Sequence, residues 1–202
     1  MRSNDRSILM ISSFHRVVSI GILLAGACAY AARPLGYDLD GQPIDDLGGP
    51  GIRVVVLIFS TTDCPISNHY VPEVARLSQE FSRRGVRFWW VYPDPEDKPA
   101  AIAKHNSEFA IHESTLRDSN QETVRIAHVT ITPEAAMFLV QGDQLREVYH
   151  GRIDDQYISL GQERPRAQKH ELERAILAAL AGQPIPQPAG PPIGCSIVLS
   201  QK

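Results

Sequence analysis

The sequence predicts an α/β fold, a central mixed β-sheet flanked by helices, and three observations carry that expectation. Val54-Val55-Val56-Leu57-Ile58-Phe59 is an unbroken apolar run within Arg53–Ser60, the pattern of a strand covered on both faces. Val86-Arg87-Phe88-Trp89-Trp90-Val91-Tyr92 is a second run, aromatic and branched, the residue types that pack well on a pleated surface. Between them Tyr70, Val74, Leu77 and Phe81 recur at helical spacing, so a helix joins the two strands.

The remaining elements follow in order. Tyr37 to Ile44 reads as a small hairpin with Asp40-Gly41 at its turn. The helix after Cys64 is expected to run to Arg84, with Gly85 as its stop. Pro93 to Asp97 is a loop, and Pro99 opens a helix expected to reach about His112. Ser119-Asn120-Gln121-Glu122 has capping-box spacing for a short helix through Ala127. Ala135–Val140 and Leu145–His150 are strands separated only by Gln141-Gly142-Asp143-Gln144, a hairpin turn. Arg166 to Ala181 is the last helix, with Leu172, Ile176 and Leu180 on one face and Gly182 and Pro184 beyond its end.

Composition limits the function classes. The chain has 202 residues, 43% hydrophobic and 21% charged, enough apolar material for one packed domain. Its net charge of −3 argues against nucleic acid as a partner. Residues 1–31 read as a signal peptide. Arg2, Arg6 and Arg16 precede the apolar stretch Val17 to Ala27, and Ala29-Tyr30-Ala31 supplies the small side chains a signal peptidase accepts. The apolar stretch is short for a membrane span. Cys28 follows Leu24-Ala25-Gly26-Ala27, a distant likeness to a lipidation site. The expected layout is a signal peptide over 1–31, a domain over 32–182 and a proline-rich tail over 183–202. The expected location is periplasmic or secreted, with no stable membrane span once the signal is removed.

Cys64 is the candidate nucleophile. It lies in Ser60-Thr61-Thr62-Asp63-Cys64-Pro65-Ile66-Ser67, between a buried strand and the first turn of a helix. Amide dipoles at that end favour negative charge and lower a thiol pKa, raising the reactive thiolate fraction. Of the three cysteines, Cys28 leaves with the signal, so Cys64 and Cys195 remain as an even pair in an oxidising compartment.

This order of elements, with a redox-type cysteine after the first central strand, resembles the thioredoxin-like fold. More narrowly, it is similar to the redoxin family of alkyl-hydroperoxide-reductase and thiol-specific-antioxidant proteins, over about Arg33 to Ala181. Two motifs carry the resemblance: Phe59 to Pro65 around Cys64, and Val129-Thr130-Ile131-Thr132-Pro133-Glu134-Ala135. In that family the proline of the second motif is cis and lies against the active cysteine. The backbone before it pairs with a bound peptide or thiol. The resemblance therefore implies a thiol-dependent oxidoreductase with Pro133 cis beside Cys64.

The sequence departs from the family in places. Ser67 stands where thioredoxins carry a second cysteine; a serine can hydrogen-bond a thiolate but cannot resolve a mixed disulfide. Peroxiredoxins carry proline and threonine seven and three places before their cysteine, and here Thr61 matches while Leu57 does not. The resolving thiol is expected from the tail, where Pro184, Pro186, Pro188, Pro191 and Pro192 precede Ile193-Gly194-Cys195. At about 3.1 Å per residue in extended polyproline geometry, the fifteen residues from Leu180 reach on the order of 45 Å. The apolar Ile193, Ile197, Val198 and Leu199 predict a tail folded back over the domain, presenting Cys195 to Cys64.

Gly151-Arg152-Ile153-Asp154-Asp155 resembles a segment of a bacterial subgroup of exported redoxins that also end in a Gly-Cys pair. Arg152 is expected either to stabilise a thiolate or to pair with Asp154 or Asp155. The expected site is thus Cys64, Cys195, Thr61, Pro133 and Arg152, with no cofactor and no metal. Its expected partners are a thiol or disulfide protein or a peroxide, and an external thiol reductant. Two other readings stay open: a copper-binding thioredoxin-fold chaperone using Cys64, His69 and Cys195, and a non-catalytic partner-binding domain.

Overall fold

The computed structural model describes residues 33–200, so the signal-peptide reading and Cys28 lie outside the described residues. Two strands, β1 (Gly36–Tyr37) and β2 (Pro43–Ile44), form the expected hairpin. Asp38 Oδ1 accepts the amides of Asp40 and Gln42 across its turn, and Gly41 supplies the positive φ of 82°. Strand β3 (Val54–Phe59) is wholly buried, and helices α1 (Pro65–His69) and α2 (Val71–Phe81) follow it. Next come β4 (Val86–Tyr92), α3 (Pro99–Glu108), β5 (Ser114–Arg117) and α4 (Glu122–Ile126). The chain continues through β6 (Ile131–Thr132), β7 (Glu134–Gln141), β8 (Gln144–Gly151), β9 (Tyr157–Ser159) and β10 (Gln162–Glu163). Helix α5 (Glu171–Leu180) and β11 (Cys195–Ser196) complete it.

The main sheet is mixed, in the order β2-β1-β5-β4-β3-β7-β8. Strand β3 pairs in parallel with β4 and antiparallel with β7. Its alternate residues feed two cores. Val54, Val56 and Ile58 join Leu77, Phe81, Ile102, Leu172 and Ile176 from α2, α3 and α5. Val55, Leu57 and Phe59 join Leu47, Leu116, Val124 and Val129 on the other face. That two-sided burial is why the run carries no polar residue, and it fixes Cys64 just beyond the carboxyl end of a rigid central strand.

The structure corrects the sequence reading at several boundaries. The single helix expected from Cys64 to Arg84 is broken at Tyr70, and a 3₁₀ turn (Ser82–Arg84) precedes Gly85. Pro72 occupies the first turn of α2, where a residue without an N–H is tolerated but a continuous ladder is not. Helix α3 stops at Glu108, and Ala110 has φ 54°. Strand β5 is an added element; only Leu116 of its four residues is buried, too little to make a periodic signal. Helix α5 starts at Glu171 rather than Arg166, because Asp155 Oδ1 binds the amides of Gln168 and Lys169 and holds that stretch in a loop.

The capping box also fails. Gln121, not Ser119, is the N-cap of α4, and it makes no side-chain cap bond. The orphan donors go to buried Asp118 instead. Its Oδ1 accepts the Glu122 amide at 2.7 Å, and its Oδ2 accepts the Val124 amide at 3.0 Å and the Thr123 hydroxyl. Replacing a capping carboxylate typically costs about 1–2 kcal/mol, and stranding buried donors adds to it. Asp118→Ala is therefore expected to lower unfolding free energy by roughly 2 kcal/mol in urea denaturation, whereas Ser119→Ala leaves the midpoint unchanged.

Candidate active site

Cys64 is the residue before α1, in extended backbone geometry, and is 1% exposed. The loop that carries it is tied down by the Thr62 hydroxyl, which donates to Asp97 Oδ1 at 2.8 Å. The Thr61 carbonyl accepts the Cys64 amide at 3.4 Å. The Thr132-Pro133 bond is cis, and the Cys64 thiol donates to the Thr132 carbonyl at 3.4 Å. The two motifs therefore meet at the sulfur, as the resemblance implies.

The tail folds back over the domain. Strand β11 pairs antiparallel with β6, Cys195 opposite Thr132 and Ser196 opposite Ile131. The Ile197 amide adds a bond to the Thr130 carbonyl at 2.9 Å. This pairing brings the two sulfurs to 2.9 Å, both as free cysteines, Cys64 buried and Cys195 exposed. A disulfide needs about 2.05 Å, so a small approach brings the sulfurs to bonding distance once an oxidant takes up the two electrons and two protons. The tail owes its fit to Gly194: a Cβ there would lie 2.0 Å from the Thr132 carbonyl oxygen. Of the apolar tail residues, Ile197 packs against the second core while Val198 and Leu199 stay exposed. Beyond Ile197 the tail is held by polar bonds instead. Gln121 Nε2 donates to the Val198 carbonyl at 2.7 Å, and its Oε1 accepts the Ser200 amide at 2.8 Å.

The two thiols are electrostatically unequal. Burial pushes the Cys64 pKa up, but hydrogen bonds from Cys195, from the Ser67 hydroxyl and amide, and from Thr132 together outweigh it, and the net shift is downward. Ser67 Oγ is buried and has no partner in standard hydrogen-bond geometry, which leaves its hydroxyl free to turn to the sulfur. Helix α1 has only five residues, so the helix reaches the thiolate as one orphan amide, that of Ser67, rather than as a long macrodipole. Burial, the bond to Cys64 and the nearby negative charge of Cys64 push Cys195 up to about 11. Cys64 is therefore the more acidic thiol of the pair, and Cys195 the one that keeps its proton.

Arg152 is not part of this cluster. Its guanidinium donates from Nε and Nη2 to the two oxygens of Glu171, at 2.6 and 2.7 Å. The pairing expected with Asp154 or Asp155 does not form: Asp154 Oδ1 accepts the Tyr70 hydroxyl at 2.7 Å, and Asp155 binds the loop amides and Arg164. The copper reading loses its third ligand as well. His69 Nε2 lies 3.0 Å from Gln156 Nε2 and 4.0 Å from Glu163. Among the described residues, the group of three ligand side chains close enough to share a metal ion is Glu73, Asp154 and His170, which includes neither cysteine nor His69. Sequence reasoning missed Thr132 as a partner of both cysteines, and Gln121 and Glu171 as tail contacts. The left-handed backbone of Gln121 (φ 54°) has no sequence signature in a non-glycine residue.

The fold and the cysteine pair define a thiol-dependent oxidoreductase of thioredoxin-like architecture. Residues 33–149 match the family model described as AhpC/TSA, and the chain belongs to the AhpC/TSA family. A search of curated proteins returns no match. Among solved structures, an uncharacterized conserved protein from Geobacillus kaustophilus is 25% identical, with a TM-score of 0.63 over 85% of this chain and 95% of that one. A hypothetical protein from Sinorhizobium meliloti 1021 is 20% identical, with a TM-score of 0.67 over 83% and 91%. MTB dsbF, in its mixed oxidized and reduced forms, is 20% identical, with a TM-score of 0.50 over 71% and 92%.

The hydrogen bonds at Cys64 set its pH profile. Alkylation of Cys64 by iodoacetamide should show a midpoint below that of an ordinary thiol. Cys195→Ala removes the largest lowering contribution, so the midpoint should move up and the rate at neutral pH should fall. A midpoint unmoved by Cys195→Ala would mean that the tail does not seat against Cys64 in solution.

Proposed function

We propose that this protein is an exported thiol–disulfide oxidoreductase that cycles between a Cys64/Cys195 dithiol and a Cys64–Cys195 disulfide. The observation that carries the reading is the 2.9 Å approach of the two sulfurs. In the oxidising half-cycle the Cys64 thiolate attacks one sulfur of a substrate disulfide. The substrate S–S bond breaks, one substrate thiolate leaves and takes up a proton, and a mixed disulfide forms on Cys64. Cys195 gives up its proton and attacks the Cys64 sulfur, and the second substrate thiolate departs. One substrate disulfide becomes two thiols, and the protein dithiol becomes a disulfide.

The return half-cycle follows from exposure and leaving-group strength. A bulky donor thiol reaches Cys195, the exposed sulfur, more readily than Cys64. Attack there expels Cys64, and the thiol of lower pKa leaves faster. Substrate entry to Cys64 requires β11 to lift, and a strand of two residues with two exposed side chains opens at small cost. Export rests on residues 1–31, which read as a signal peptide. It places the protein in the periplasm or outside the cell, where the disulfide persists until a donor reduces it.

Peroxide reduction is the second reading, favoured by Thr61 three places before Cys64. Breaking an O–O bond develops negative charge on the leaving oxygen, which donors or cations must stabilise. The groups that bear on the Cys64 thiol are Cys195, Ser67 and Thr132, none cationic, and Arg152 is committed to Glu171. That balance supports disulfide exchange over peroxide reduction.

A paired assay separates the readings. Wild type should reduce glutathione disulfide or insulin in the presence of a thiol donor, Cys64→Ser should be inactive, and Cys195→Ser should accumulate a mixed disulfide on Cys64. Hydrogen peroxide consumption without disulfide turnover would replace the proposal with a peroxidase. Inactivity in both assays would leave a partner-binding domain.

A further inference from the structure

The Gly-Arg-Ile-Asp-Asp segment has no role in the chemistry at Cys64, yet nearly every one of its polar groups is buried and engaged. Arg152 and Glu171 are 16% and 5% exposed at their side chains and meet in a two-bond fork, the geometry in which arginine binds carboxylate most specifically. The same Glu171 Oε1 also accepts the backbone amide of Ala189, in the tail, at 3.1 Å. The neighbouring tail residue, Gly190, lies flat on the guanidinium: a Cβ there would be 2.9 Å from Arg152 Nη1. Gly151 does the same for the tail two residues earlier. It has φ 147°, and a Cβ on it would be 2.6 Å from Pro188 Cγ. Three consecutive tail residues, Pro188, Ala189 and Gly190, are thus seated on Gly151, Arg152 and the glutamate that Arg152 holds.

The other half of the segment grips the helix pair that carries Cys64. Asp154 Oδ1 accepts the hydroxyl of buried Tyr70 at 2.7 Å, at the break between α1 and α2. One five-residue stretch therefore touches both cysteine-bearing parts of the chain. Between the seat at Gly190 and Cys195 lie Pro191-Pro192-Ile193-Gly194, a short spacer stiffened by two prolines.

We propose that Gly151–Asp155 with Glu171 is the anchor that sets the register of the tail, and that Arg152 and Glu171 are positioning residues acting on Cys195. The inference rests on the reading that Cys64 and Cys195 form a redox pair, and it assigns that pair its effective concentration. Without the anchor, the nearest apolar hold on the tail is Ile185, which packs on the first core. The free chain leading to Cys195 then lengthens from the five residues after Gly190 to the ten after Ile185. Effective concentration falls roughly as the −3/2 power of length, about threefold from length alone, and loss of the stiff seating adds to it. The expected total is a loss of about threefold or more.

The test equilibrates wild type, Arg152→Lys, Glu171→Gln and Ala189→Pro with glutathione and glutathione disulfide, and quantifies the 64–195 crosslink by non-reducing peptide mapping. Ala189→Pro deletes the amide that Glu171 holds while leaving the Arg152–Glu171 fork and α5 untouched, so it guards against a variant that merely unfolds. All three variants should need a more oxidising buffer to form the crosslink, by about threefold or more in the glutathione ratio. In a Cys195→Ala background, Arg152→Lys should speed Cys64 alkylation, because β11 still covers that sulfur and lifts more readily once its anchor is loosened. Limited proteolysis of the reduced proteins gives a readout independent of the disulfide: cleavage between residues 187 and 199 should be faster in the variants. Equal crosslinking and equal proteolysis across the set would overturn the anchor. A wild type that never forms the crosslink, but whose tail is still freed by Arg152→Lys, would retain the anchor and overturn the redox pairing instead.

Discussion

The pairing of Cys195–Ser196 with Ile131–Thr132 is the contact on which the site depends. Strand β6 stands outside the main sheet, with β11 as its partner, directly before the cis Thr132-Pro133 bond. Its position is set by β7, which continues from Pro133 into the sheet centre beside β3. Cys64 is placed by the other end of the same geometry, just past the carboxyl end of β3. Two segments 131 residues apart in sequence therefore meet because one central strand positions the nucleophile and its neighbour positions the edge that receives the tail. Gly194 admits that approach, since its Cα must pass the Thr132 carbonyl too closely for any side chain.

The chemistry follows from the asymmetry this contact creates. A thiol donating to a thiolate lowers the pKa of one sulfur and raises that of the other, and here the Ser67 and Thr132 bonds, against the cost of burial, make Cys64 the more acidic sulfur. The buried cysteine is the more acidic thiol and the exposed one the weaker acid. In thioredoxin-like proteins with two cysteines in one loop, the second cysteine comes from the same helix. Here Ser67 fills that position and supports the thiolate, and the second sulfur arrives from the far end of the chain. The cost of that arrangement is entropic, because an unanchored tail samples many positions, and the seating of Pro188–Gly190 offsets it.

Much of this was legible in the sequence. The unbroken apolar run of β3 announced a central strand, Gly85 a helix stop, and the two motifs around Cys64 and Pro133 their meeting point. Tail recruitment was legible from Ser67 at the missing-cysteine position and from an apolar patch around Cys195. The reasons given for it were only partly right, since Val198 and Leu199 remain exposed and polar bonds from Gln121 hold that end. What stayed hidden were contacts made by carboxylates far away in sequence. Asp118 rather than Ser119 caps α4, and Glu171 rather than Asp154 or Asp155 takes Arg152, because tertiary packing decides which acid is buried beside which donor. Short elements such as β5, β6 and β11 were equally invisible. Two to four residues with at most one buried side chain give no period to read.

The central claim is that the tail is docked in the reduced protein, before any covalent bond forms. Backbone hydrogen exchange followed by NMR on the fully reduced chain tests it directly through the Ile197 amide, which donates to the Thr130 carbonyl across the β6–β11 pairing. The account predicts slow exchange at Ile197, well below the rate at exposed Leu199, with protection that persists when Cys195 is replaced by serine. Exchange at Ile197 as fast as in an unstructured peptide would contradict it, and would mean that Cys195 meets Cys64 only by chance collision.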